Sequence, residues 1–154
     1  YSTVSEVKGE LELPEATAGG KLPVVLVLHG SAGIDGRGEF HGKALNAAGI
    51  GTLEIFMFSR GNRPRGGTRE NFTHMYGALK YLASRPEIDP QRIGVAGFSD
   101  GATYSIALGR LNGDLFQRII VAPDCGLKYL PREVAFGKMK AMADGARIVR
   151  EELA

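Results

Sequence analysis

From Val4 to Leu13 polar and apolar residues alternate, the period of one or two short half-buried strands, and the Thr17-Ala18-Gly19-Gly20 turn closes the stretch. The pattern then changes. Val24 to Leu28 is an unbroken β-branched and aliphatic run between Pro23 and Gly30, too short for a helix and suited to a strand covered on both faces. Thr52 to Phe58, Ile93 to Phe98 and Arg118 to Ala122 repeat that signature. Helical stretches fall between the runs, at Glu39 to Ala48, Arg69 to Ser84 and Ala102 to Leu111. In the middle one, Phe72, Met75, Tyr76, Leu79, Leu82 and Ala83 recur at three- and four-residue spacing, which predicts one buried stripe, and Pro86 follows closely enough to end it.

Strand and helix in alternation predict an α/β fold, a mostly parallel sheet of about five or six strands with helices on both faces. Residues 1–154 show no repeat, low-complexity tract or linker and read as a single domain. Ligands of such sheets bind at the carboxyl ends of the strands, so chemistry is expected just after Leu28, Phe58, Phe98 and Ala122. The final stretch, Arg132 to Leu153, aligns Phe136, Met139, Met142, Ala143, Ala146, Val149 and Leu153 along one side of a helix, with Gly137 and Gly145 as weak points. Such a stripe is expected to dock on its own core.

Composition narrows the classes. At 44% apolar residues the chain is not disordered, and its longest apolar run is far short of the roughly 18 residues of a membrane span. The single cysteine, Cys125, excludes a disulfide within the chain and a thiolate metal site, and His29, His41 and His74 lack metal-ligand spacing, so neither metal nor organic cofactor is implied. Nineteen basic against 17 acidic residues imply no general affinity for nucleic acid or membrane surfaces. One cysteine suits the cytosol without excluding export. The 22 glycines are about twice the usual ~7%.

Two glycine-rich segments carry chemistry. Gly97-Phe98-Ser99-Asp100-Gly101 fits G-x-S-x-G between a buried strand and a helix, where a sharp turn needs small residues on both sides and thrusts the serine hydroxyl into the open. The helix N-terminus then aims N–H groups at an oxyanion formed when that hydroxyl attacks a carbonyl. The plainer alternative is a serine that only caps the helix. His29-Gly30-Ser31-Ala32-Gly33 follows the first buried strand, so the amides of Ser31 and Asp100 make a natural donor pair. No G-x-x-x-x-G-K-[ST] or G-x-G-x-x-G pattern is present, which argues against nucleotide cradling. His29 is expected to hold the turn structurally.

The segments Pro23 to Gly30, Arg85 to Gly101 and Ala122-Pro123-Asp124-Cys125-Gly126 together resemble the dienelactone hydrolase-like branch of the α/β-hydrolase superfamily, over about residues 20 to 127. The resemblance implies a shortened α/β-hydrolase core, a carboxylic-ester hydrolase, Ser99 as nucleophile, and Ser31 and Asp100 as the oxyanion hole. Family members order the triad serine, acid, histidine; no histidine follows Ser99 in this sequence. Three explanations compete: a stretch absent near Tyr129 to Arg132, a short form that recruits another histidine, or a catalytically silent relative acting as a binding or interaction module.

Within the chain, Asp124 follows the fourth buried strand on the correct side of the sheet and is the candidate acid. His74, one turn into the helix after the second buried strand, is the candidate base, with His41 comparable. Asp124 also fits a cap, and either histidine a packing role. Cys125 lacks an elbow context and reads as a small hydrophobe. Arg60, with Arg63, Arg65 and Arg69, lies at a carboxyl end and could attract an anionic substrate, or simply belong to a solvated loop. The expected ligand is a small ester. A shortened sheet would leave one edge unpaired, so a dimer or larger assembly is expected.

Overall fold

Five strands form one sheet in the order β1-β3-β2-β4-β5. They are β1 (Gly9–Glu12), β2 (Leu22–Leu28), β3 (Gly51–Ile55), β4 (Ile88–Gly97) and β5 (Arg118–Ile120), with helices α1 (Arg37–Ala47), α2 (Thr68–Ser84), α3 (Asp100–Leu111) and α4 (Arg132–Glu152). This computed structural model describes residues 6–15, 20–58, 68–111, 118–120 and 130–152. The chain divides into two units, Tyr1–Ala122 and Pro123–Ala154. The first holds the sheet and α1 to α3, and the second holds α4.

β2, β3, β4 and β5 pair in parallel, and β1 closes one edge antiparallel to β3. The unbroken apolar run of β2 is central because its strand is covered on both faces: Val24 to Leu28 are all buried. One face packs Leu26, Leu28, Leu53, Ile55 and Val95 against Met75, Ala78 and Leu82 of α2 and Tyr104 and Leu108 of α3. The other face carries Thr52 and Glu54 beneath α1. Asn46 of α1 donates to the Thr52 hydroxyl at 3.4 Å, and any side chain at Gly38 would overlap the Glu54 carboxylate.

Element boundaries moved for identifiable reasons. The apolar run after Gly51 leaves the ladder at Ile55, yet Met57 and Phe58 stay buried because their amides bond a side chain, His29, in place of a strand. β4 begins at Ile88, five residues earlier than the apolar run, with a register irregularity between Leu22 and Val24 that lets Pro90 sit where no ladder donor is required. On α2 the buried stripe is Met75, Ala78 and Leu82 with Phe72 and Leu79 beside it; Tyr76 and Ala83 turn outward, one position round from Met75 and Leu82. On α4, Phe136 and Met139 are 55% and 44% exposed.

Candidate active site

In the strand order, β2 and β4 are neighbours, while the connection after β2 runs to β3 on one side and that after β4 runs to β5 on the other. Their carboxyl ends therefore flank the crevice where connections diverge, the usual ligand position in such sheets. The two glycine-rich segments of the sequence follow these two strands.

Gly97 to Gly101 is the tighter of the two. Ser99 has φ 54, the left-handed region that L-residues seldom occupy, and is the one non-glycine with positive φ among the described residues. The flanking glycines are sterically required. A Cβ on Gly97 would overlap the Gly101 carbonyl and the Ala102 nitrogen, and a Cβ on Gly101 would overlap the Leu28 carbonyl. Hydrogen bonds pin the turn: Phe98 N–H donates to the Leu28 carbonyl at 3.0 Å, Gly101 N–H to Phe98 at 2.9 Å, and Ala102 N–H to Ser99 at 3.0 Å. α3 begins directly at Asp100, two residues before the apolar pattern suggested, so its N-terminus abuts Ser99.

The second segment forms a β-turn closed by Gly33 N–H donating to Gly30 at 3.0 Å, with Ser31 exposed at its tip. A Cβ on Gly30 would lie 3.1 Å from the Phe98 carbonyl and 3.3 Å from the Ser99 Cβ, so the turn and the elbow are in contact. Ser31, Ser99 and Asp100 thus belong to one locality.

His29 anchors that locality. It is 1% exposed. Nε2 accepts the Met57 N–H at 2.9 Å, which places the ring proton on Nδ1, from which it is donated to the Gly30 carbonyl at 2.8 Å. Burial pushes its pKa below the usual histidine value, outweighing the raising effects of Gly30, Asp35 and Asp100. A neutral imidazole with both nitrogens engaged joins the turn after β2 to the chain after β3 and has no capacity left to act as a base. Beside it, the Arg37 guanidinium holds the Asp35 carboxyl below its usual range.

The other histidines separate. His41 on α1 is exposed and stacks on Phe98, with ring centroids 5.4 Å apart and planes 25° apart. His74 lies on α2, and its Nδ1 is buried without a hydrogen-bond partner among the described residues. Nearby on the same helix, the Asn71 amide donates to the Tyr104 hydroxyl at 2.8 Å and ties α2 to α3, a polar pair the apolar periodicity of the sequence does not signal. Arg60, Asp124 and Cys125 lie outside the described residues.

Solved structures share this arrangement. An Est1E structure from Butyrivibrio proteoclasticus with bound ferulic acid superposes with TM-score 0.64 at 18% identity, covering 79% of this chain and 50% of its own. Dienelactone hydrolase from Anabaena variabilis gives 0.61 at 21% identity, covering 77% and 58%. The α/β hydrolase GrgF from Penicillium gives 0.65 at 18%, covering 94% and 54%. The fold is that of the α/β-hydrolases. The chain spans about half the length of these α/β-hydrolase structures. No family model matches it. Among curated proteins, a methionine synthase from Sulfurisphaera tokodaii is 60% identical over 37 residues, 24% of this chain and 11% of that protein. Among the described residues, no helix is long and apolar enough to cross a membrane.

Proposed function

We propose that this protein is a serine hydrolase of carboxylic esters, with Ser99 as nucleophile. The supporting observation is the strained Ser99 backbone, seated between two glycines that admit no side chain and against the Gly30 turn. The Ser99 hydroxyl attacks the ester carbonyl, the Ser31 and Asp100 amides receive the oxyanion, the alcohol departs with the proton taken from Ser99, and water then releases the acid. His74 is the base we assign within the chain. His29 is engaged at both nitrogens and His41 lies flat on Phe98, whereas His74 keeps a buried nitrogen without a hydrogen-bond partner among the described residues. Asp124 is assigned as the acid and Arg60 as a contact for an anionic group of the ester; a small ester in the cytosol is the ligand this reading expects.

Hydrolysis of p-nitrophenyl acetate tests the assignment. Ser99→Ala is expected to lower turnover on the order of 10⁶-fold, and His74→Ala comparably. Full turnover in Ser99→Ala would refute the nucleophile; full turnover in His74→Ala alone would move the base elsewhere. A folded protein inert toward esters would favour a second reading, a binding module on a hydrolase fold.

A further inference from the structure

We propose that α1 is a positioning element for the elbow: Arg37 and His41 grip the Phe98 ring and so hold Ser99 in its left-handed conformation against the Gly30 turn. The inference rests on reading Ser99 as the nucleophile. Arg37 and His41 are four residues apart, hence on one face of α1. His41 stacks on Phe98 at 5.4 Å, and the Arg37 guanidinium carbon lies 5.6 Å from the centre of the same ring. Two side chains of one helix therefore cover the residue that immediately precedes Ser99.

Arg37 also reaches the opposing segment. A guanidinium nitrogen lies 3.5 Å from where a Cβ on Gly30 would stand, and the Asp35 carboxylate fixes the group through Nε at 2.9 Å to each oxygen and through a second nitrogen at 2.5 Å. One side chain thus touches both the oxyanion turn and the elbow. This matters because a left-handed serine persists only where its surroundings over-determine it. Backbone hydrogen bonds from Phe98 and to Phe98 hold the main chain of the turn. The ring of Phe98 adds a side-chain hold beside these bonds, and α1 covers it. His41 on this account works as an aromatic surface, by stacking, and takes no proton.

His41→Ala and His41→Phe in the full chain separate this role from the alternatives. Two readouts are needed: amide hydrogen exchange at Ser99 to Ala102, and the rate of fluorophosphonate labelling. In His41→Ala, elbow exchange is expected to rise and labelling to slow, each by about 2- to 10-fold, the range a lost aromatic contact gives, while the unfolding midpoint stays close to wild type. Phenylalanine restores the stack and should restore both. Unchanged elbow exchange in His41→Ala would overturn the proposal. So would a His41→Phe variant as slow as His41→Ala, which would make His41 a proton acceptor. If wild type itself is not labelled, the nucleophile reading fails, and the exchange comparison still decides whether α1 holds the elbow.

Discussion

Glycines and apolar stripes occur in both units of the chain and mean different things in each. In Tyr1–Ala122 the elbow glycines are closed, with backbone where a side chain would go, and Leu26, Leu28, Ile55, Met75 and Leu82 are wholly buried. In Pro123–Ala154 a Cβ on Gly137 or Gly145 would meet open space, and Val134, Phe136, Met139 and Ile148 are 43% to 55% exposed. Periodicity marks which side of a helix can be buried; only crowding tells which side is. Ser99 and the Gly30 turn lie in the unit where backbone is crowded enough to dictate a strained serine.

The largest contrast should come from the same substitution in the two units. Gly101→Ala drives a methyl into the Leu28 carbonyl and should cost about 3 kcal/mol or more, read as loss of the cooperative urea transition at low denaturant. Gly145→Ala on α4 should instead stabilise its helix by up to about 1 kcal/mol, seen as added helical circular dichroism. A destabilised Gly145→Ala would show that α4 is crowded after all.

Core truncation is next in size. Leu26→Ala, at 0% exposure, should lose about 2 to 5 kcal/mol, whereas Phe136→Ala should stay within about 0.5 kcal/mol. Equal losses in urea titrations would abolish the distinction between the units. Within the first unit, His29→Ala leaves the Met57 amide and the Gly30 carbonyl without their partner and should cost about 1 to 3 kcal/mol.

Glu54 supplies the smallest effect. Its pKa is raised above the ordinary 4.5 by burial beneath α1 first, then by Asp35, Glu10, Glu12 and Glu39. A carboxyl with a raised native pKa binds its proton more tightly folded than unfolded. Its contribution is fully present below the unfolded value and is lost as pH rises through the folded one. Glu54→Gln should therefore raise the thermal midpoint at pH 7 and lose that advantage near pH 4. An advantage that persists unchanged at pH 4 would place its origin in packing rather than charge.

Much of the first unit was legible in sequence because its constraints are local. The β2 run needs no partner to be recognised as buried, and G-x-S-x-G names the residues that a strand-to-helix reversal requires. Contacts between distant segments were not legible. That α1 covers Phe98 depends on the register of a helix over a loop some 57 residues away, and the bond from Asn71 to Tyr104 on the packing of two helices. The anchoring role of His29 follows from its place beside Gly30, whereas the second segment it anchors, Met57 and Phe58, lies too far along the chain to be read from sequence. Tyr76 lies outside the buried stripe because three- and four-residue spacings drift round a helix, and only the facing sheet decides where the stripe ends.

The central claim is that the backbone around Ser99 makes its hydroxyl a nucleophile, and covalent capture tests it without knowledge of the ester. Full-length protein incubated with a fluorophosphonate and then digested for mass spectrometry should carry one adduct, on Ser99, absent from Ser99→Ala. A folded protein that acquires no adduct, or acquires it equally in Ser99→Ala, would contradict the account.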